Sequence, residues 1–424
     1  MLNEEIVEQL SERLVRRIEE ANTYTLEQIG KSIKKIGTLT PTKARQLEMI
    51  LKYGGDYDKI AQKLAEVTKL NIKDIYKIYE EIAKMDYEFK KYLYDYRGKK
   101  FIPYKDNIAL QDQVNALAET TARQYVNLTN TSMLGFSVKN AKGRTIFKGL
   151  RETYIDTIDR AILSISQGKS TFDNEMYRVL KELGSSGLKI ANYDGRTMRL
   201  DSAVRMNFRA GLRDLRNQTQ LFYGQEFGAN MIEVSHHLNS APDHIDTVDG
   251  KQFAMIDEIK KQIANGTETK IKYEDIEDNR VRVNGKWYYD YYYINSKLQR
   301  PVSTLNCYHY TFVGILGLSK PAYTKEQLEE DKQKNEKGFM FEGKHYTLYE
   351  GQELQRKIEL ELRKAKDEQI LGRTSNNIEL IDNSQKRIRE LTTKYHKLIK
   401  ESGLYSQLEK ARVVGFRFVK VPKM

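Results

Sequence analysis

The sequence is short of the residues that most often announce a chemistry. It has a single cysteine, Cys307, which excludes an intrachain disulfide and leads us to expect folding in a reducing cytoplasm. Histidine is scarce, with six in 424 residues. No apolar run approaches the roughly 18 residues that a membrane-spanning helix needs. The opening Met1-Leu2-Asn3-Glu4-Glu5 has neither a basic start nor a continuous apolar stretch, so no secretory signal is expected. The phosphate loop GxxxxGK(S/T), GxSxG, HExxH and GxGxxG are all missing, which argues against a phosphate-loop ATPase and the common hydrolase and dinucleotide-binding classes. The glycine pair in Gly314-Ile315-Leu316-Gly317 completes none of these patterns. There is no internal repeat and no low-complexity segment.

What is present is enough apolar material for real cores: 39% hydrophobic residues, with 28 tyrosines and 14 phenylalanines. The net charge is +12, which gives the chain an electrostatic reason to meet anions such as nucleic acid or an acidic protein surface. The 59 acidic residues interspersed among 71 basic ones weaken any field of one sign, so solubility is an equally good reading.

Periodicity predicts a mostly helical α+β protein. Ile6, Leu10, Leu14 and Ile18 form a helical stripe, and Thr40-Pro41 is a good helix entry closed by Gly54-Gly55. Further helices fit residues 56–69 and a Tyr-rich 71–95. Residues 1–100 are therefore expected to form a helical docking arm, and 101–229 a helical region with helices at 105–130, 148–182 and about Leu200 to Phe227. From 230 to 323 the pattern changes to a small α+β core. There Met231–Val234 reads as a strand, and Asn284-Gly285 joins Arg280–Val283 to Trp287–Ile294 as a hairpin. Residues 324–424 are expected to form a helical pair, with stripes at Leu354, Ile358, Leu362 and at Ile388, Leu391, Tyr395, Leu398, followed by a terminal strand at Val414–Phe418.

Four of the six histidines, His236, His237, His244 and His309, fall in the α+β region beside Cys307. Cysteine and histidine two apart on a strand can face one side, and His236 or His244 could add ligands for zinc. No CxxC or HxxxH spacing reinforces that idea, so these residues are expected to be structural, with no metal, cofactor or catalytic role. On this reading Cys307 is a buried thiol without a basic neighbour, and the histidines tie loops together by hydrogen bonds. Arg205, Arg209, Arg213 and Arg216 fall on nearly one face of a predicted helix and are candidates for DNA contact. Solvation or ion pairing is the alternative use of that face.

Ser235-His236-His237, Ala241-Pro242-Asp243-His244 and Gly250-Lys251-Gln252-Phe253, in that order, resemble a signature of the phage minor capsid protein 2 family. So do Leu305-Asn306-Cys307-Tyr308-His309, Phe312-Val313-Gly314 and Ser319-Lys320-Pro321-Ala322-Tyr323. Tyr346–Glu350 with Gln355–Glu359 is similar to a third family element, and Asp194-Gly195-Arg196 fits in order. The chain departs from the family pattern at Ala241, Val248 and Tyr308, where arginine, tryptophan and arginine are usual. The resemblance makes Pro242, His244, Gly250, Asn306, Cys307, His309, Gly314 and Pro321 a fold-defining set. It implies a non-enzymatic minor structural protein of a tailed-phage head. Its expected partners are the portal protein, the major capsid protein and packaged double-stranded DNA, with no membrane. Its expected role is head assembly and DNA packaging or delivery, with assembly in the host cytoplasm. Two other readings compete: a DNA-binding protein ejected with the genome, favoured by the arginine face, and a Cys/His metal-dependent nuclease, favoured by the histidine cluster.

Overall fold

The structure is a computed structural model and describes residues 4–38, 56–96, 98–130, 133–140, 142–167, 169–191, 196–268, 270–304 and 307–420. The expected helix entry at Thr40-Pro41, the Gly54-Gly55 stop, Asp194-Gly195 and Asn306 lie outside these residues. The fold is mostly helical α+β. Chain contacts divide it into two units, each drawn from three separate stretches and not from consecutive blocks. One comprises Met1–Leu10, Ile75–Ala122 and Met206–Gln352, and the other Ser11–Asp74, Arg123–Arg205 and Glu353–Met424.

In the second of these, the apolar stripe of the Glu4–Gly37 helix is core, with Leu14, Val15, Ile18, Leu26 and Ile29 fully buried. Leu14 and Ile18 of the predicted stripe are thus covered by the chain's own residues. The helix expected over 56–69 and the one over 71–95 are largely a single helix, Asp56–Phe89. Asn71, at the expected break, holds the helix to its surroundings instead: its side chain donates to Leu14 O at 3.1 Å and to Tyr125 Oη at 2.7 Å. Between the helices of the region expected to be helical lies a four-stranded sheet in the order Thr145–Gly149, Leu134–Lys139, Lys189–Ala191, Thr197–Arg199. Its first hairpin turns on Asn140, whose Oδ1 accepts from the Lys142 and Arg144 amides at 3.0 Å each, an Asx-type turn. Two helices, Leu150–Ser166 and Lys169–Ser186, replace the single one expected over 148–182.

The antiparallel pair Leu348–Ser375 and Ile378–Ser402 forms as its periodicity requires, capped by Asn377 at one start and by left-handed Gly403 (φ 67°) at its end. Gly372 does not stop the first helix; a Cβ there would lie 3.1 Å from Ile381, so the glycine admits the second. The terminal strand expected at Val414–Phe418 does not form. Side chains take the place of a neighbouring strand: Thr23 Oγ1 donates to Val414 O at 2.8 Å, Gln369 to Arg417 O at 2.9 Å, and Gln385 both donates to and accepts from Val419.

In the other unit, Tyr79, Tyr87, Tyr94, Tyr223 and Phe227 are buried, Tyr87, Tyr94, Tyr223 and Phe227 forming a contiguous aromatic cluster. Much of the Tyr-rich run is therefore core. A three-stranded antiparallel sheet runs in the order Thr311–Gly314, Met231–Val234, Gln252–Ala254, with Thr311 opposite Val234 and Ile232 opposite Phe253. The Asn284-Gly285 hairpin is present, with both residues at positive φ as a two-residue turn of this kind demands. Its second strand ends at Tyr289, not Ile294, because Asp290 caps a short helix, Tyr291–Lys297, by accepting from the Tyr293 amide. Thr324 and Gln327 form the capping box of the Lys325–Lys337 helix, followed by a further hairpin, Phe339–Phe341 with Lys344–Tyr346. Among the described residues no helix is long and apolar enough to cross a membrane.

Candidate metal centre

The family-signature residues converge on one end of the three-stranded sheet. Ser235-His236-His237 leave its central strand. Pro242 opens the four-residue helix Pro242–Ile245, which turns His244 inward. Asp249-Gly250 lead into the third strand, where Gly250 has φ +68° and a Cβ would meet Leu328 at 2.4 Å. Gly314 ends the outer strand, and a Cβ there would strike Met231 Cε at 2.4 Å and Ser319 Oγ at 2.6 Å. Pro321 is exposed in the loop before the Lys325–Lys337 helix.

The strand that follows Cys307 and His309 is fixed by the Met206–Phe227 stretch of the Leu200–Phe227 helix. Asn217 accepts from Thr311 Oγ1 at 2.6 Å, and Gln220 accepts from the Val313 amide at 3.0 Å. The arginine face of this helix looks inward. Arg213 and Arg216 are buried, and Arg216 lies over the Tyr310 and Phe312 rings with its guanidinium 3.8 Å from Asp86. Arg209 is half-buried over Tyr308 and donates to its hydroxyl at 3.1 Å. In the other unit Arg205 is buried and paired with Glu12 at 2.5 Å. Groups so placed hold strands and helices together.

His244, Cys307 and His309 are 2%, 8% and 3% exposed, and one ligand-type atom from each lies within 4.8 Å of the others. His244 Nδ1 is 3.2 Å from His309 Nδ1, and Cys307 Sγ is 3.6 Å from the same nitrogen. The outer nitrogens are committed elsewhere: His244 Nε2 is 2.6 Å from the Arg300 carbonyl, and His309 Nε2 is 2.9 Å from Asp249 Oδ1. Both acceptors demand a proton on Nε2, which turns the two Nδ1 atoms inward towards each other and Cys307.

Asp249 is the hub that the sequence did not disclose. Its Oδ1 also accepts from Ser240 Oγ at 2.7 Å and the His237 amide at 3.0 Å, and its Oδ2 is 2.5 Å from His236 Nδ1. One aspartate among 59 acids carries no periodic signal; its place beside Gly250 in the quoted signature is the only hint. His236 is spoken for by Asp249 and by Asp331 at 3.0 Å, so it stands outside the His244–Cys307–His309 group. His237 Nε2 is 3.0 Å from Tyr308 O and 3.1 Å from Ser235 Oγ, closing the loops on each other.

Burial alone would push the Cys307 thiol up, yet the His244 and His309 rings bring it down to about 5. This corrects the expectation of a thiol without a basic neighbour. Burial would lower His309, but Asp249 and Cys307 raise it to about 9. Burial would raise Asp249, and hydrogen bonds from His236, His309 and Ser240 hold it well below the usual carboxylate range. The arrangement can hold a borderline-soft divalent cation, or it can settle as a thiolate–imidazolium pair.

Set against known proteins, the chain matches the sequence profile described as phage minor capsid protein 2 over residues 2–400. No curated protein and no solved structure matches it.

Proposed function

The chain belongs to the phage minor capsid protein 2 family and so is a structural protein of a bacteriophage virion, and from that premise we propose that it sits in the head at the portal and supports head assembly and DNA packaging or delivery. The observation that carries this reading is the family match from residue 2 to residue 400, which spans the helical stretches as well as the sheet region. Portal protein and major capsid protein are the partners such a place requires. The surface offered to them includes Met85, Phe89 and Tyr92, all exposed, with Phe89 and Tyr92 meeting edge to face at 6.1 Å. Exposed apolar groups on an otherwise charged helix end are what a docking face needs. Cryo-electron microscopy of heads carrying an epitope on this chain is the test. Density at the portal vertex alone is expected; a distribution over the whole shell, or absence from purified heads, overturns the proposal. Assembly is placed in the host cytoplasm, in keeping with a single, buried thiol.

A second reading, weak and sequence-independent contact with the packaged duplex, rests on the net charge of +12. With three of the four candidate arginines buried, it falls to exposed lysines such as Lys84, Lys91, Lys99, Lys100 and Lys105.

A further inference from the structure

We propose that His244 Nδ1, Cys307 Sγ and His309 Nδ1 hold one zinc ion, a water completing the tetrahedron, and that this ion clamps the segment entering the Thr311–Gly314 strand to the short helix Pro242–Ile245. The proposal stands apart from the role in the virion and rests on three observations.

The first is distance. Tetrahedral zinc with bonds of about 2.05 Å to nitrogen and about 2.3 Å to sulfur sets its ligand atoms about 3.3 Å apart for two nitrogens and about 3.5 Å apart for nitrogen and sulfur. The observed separations are 3.2 Å between the two Nδ1 atoms and 3.6 Å between His309 Nδ1 and Cys307 Sγ. Two edges of a coordination tetrahedron are thus already present in the side chains.

The second is tautomer. The Arg300 carbonyl and the Asp249 carboxylate each claim the Nε2 proton of one ring. In their neutral forms the two imidazoles would bring their Nδ1 lone pairs together inside hydrogen-bond distance. That contact repels unless a cation or an added proton lies between them. Zinc satisfies both nitrogens and the sulfur at once.

The third is the surrounding support. A carboxylate bonded to the outer nitrogen of a ligating histidine orients the ring and strengthens it as a donor. Asp249 does this for His309, and is itself held by the Ser240 hydroxyl and the His237 amide. The Arg300 carbonyl does the same for His244, and the Arg300 side chain is anchored on Asp243 at 2.5 Å, the residue before that histidine. Two imidazoles and a thiolate favour zinc over magnesium or calcium, which take oxygen. All three ligands are buried, and the ion joins residues 65 positions apart in the chain.

The test uses the full-length chain without an affinity tag, purified in the absence of chelator. Elemental analysis should find about one zinc per chain. His244→Ala and Cys307→Ala should each reduce zinc to a small fraction of that. His345→Ala, at an exposed histidine outside the cluster, should leave it unchanged. Because either cluster variant can fail to fold, the unsubstituted chain supplies the deciding measurement. Stripped with chelator and titrated with cobalt(II), it should develop a thiolate-to-cobalt charge-transfer band and tetrahedral visible absorption, saturating at about one equivalent. A chain that carries no zinc and takes up no cobalt overturns the proposal. So does zinc retained in both cluster variants, or a cobalt spectrum without the thiolate band.

Discussion

Glu19 shows how strongly one side chain can depend on its surroundings. Burial, then the nearby Asp201 carboxylate, push its pKa up from 4.5 to about 8, against the opposing pull of Arg205 and Arg363. Between those two values the folded chain keeps a proton that the unfolded chain releases. Stability therefore falls as pH rises through that window, by up to about 1.4 kcal/mol per pH unit. Glu19→Gln removes the titrating group. Its advantage over the parent should be absent near pH 4.5 and should grow towards pH 8 in urea unfolding. Parallel pH profiles for the two proteins would contradict this account. Gly250 illustrates a steric constraint at the same scale. Its φ of +68° and the 2.4 Å approach of Leu328 to a built Cβ predict that Gly250→Ala costs about 1–3 kcal/mol, read as a lower unfolding midpoint. Sequence inspection picks out Cys307, His309 and His244 because such residue types are rare in this chain. It passes over Asp249, which holds His309 and His236, because an aspartate is chemically common and those two partners are 60 and 13 positions away.

Among elements, the helix Asp56–Phe89 has two characters. Tyr79 and Tyr87 are buried, whereas Met85 and Phe89, with Tyr92 just beyond, are exposed. If that exposed group is a virion contact, the double substitution Phe89→Glu, Tyr92→Glu should leave the circular-dichroism spectrum and melting temperature unchanged while removing the protein from purified heads. Normal incorporation would exclude the face. The segment Val414–Phe418 makes the opposite point. Its alternation is real, but a strand also needs an edge to pair with, and alternation says nothing about whether one is available. Gln385 meets part of that need by accepting from the Val419 amide at 2.8 Å and donating to its carbonyl at 3.1 Å. Gln385→Ala should cost about 1 kcal/mol and expose the tail to faster proteolysis. Unchanged cleavage would show that the other contacts suffice. Elements specified by local chemistry were legible: the Leu200–Phe227 helix, the Asn284-Gly285 hairpin and the helix after Thr324 occur where the residues place them. The sheet between Leu134 and Arg199 was not, because its strands are three to six residues long and derive their stability from pairing.

For the whole molecule, charge is the property that composition decides and structure redistributes. A net +12 predicts weak binding to duplex DNA of any sequence, falling steeply with added salt as counterions are released. Replacing Lys84, Lys91, Lys99, Lys100 and Lys105 with glutamine should flatten the salt dependence measured by fluorescence anisotropy. Arg216→Lys should not change it, since that guanidinium is buried over Tyr310 and Phe312. Binding that is absent at low salt, or indifferent to it, would remove the genome from the set of partners.

The sequence by itself determined the mostly helical α+β class, the family, and the residue types gathered around Cys307. All three follow from composition, short-range periodicity and motif order, which are written locally along the chain. The tertiary structure decided which faces are covered. It turned the Leu14–Ile18 stripe and the Arg213 and Arg216 side chains into interior, divided the chain into two interleaved units, and brought His244 within 3.2 Å of His309. Those outcomes depend on which distant segments meet, and helical or strand periodicity fixes only that a face must be buried, not against what.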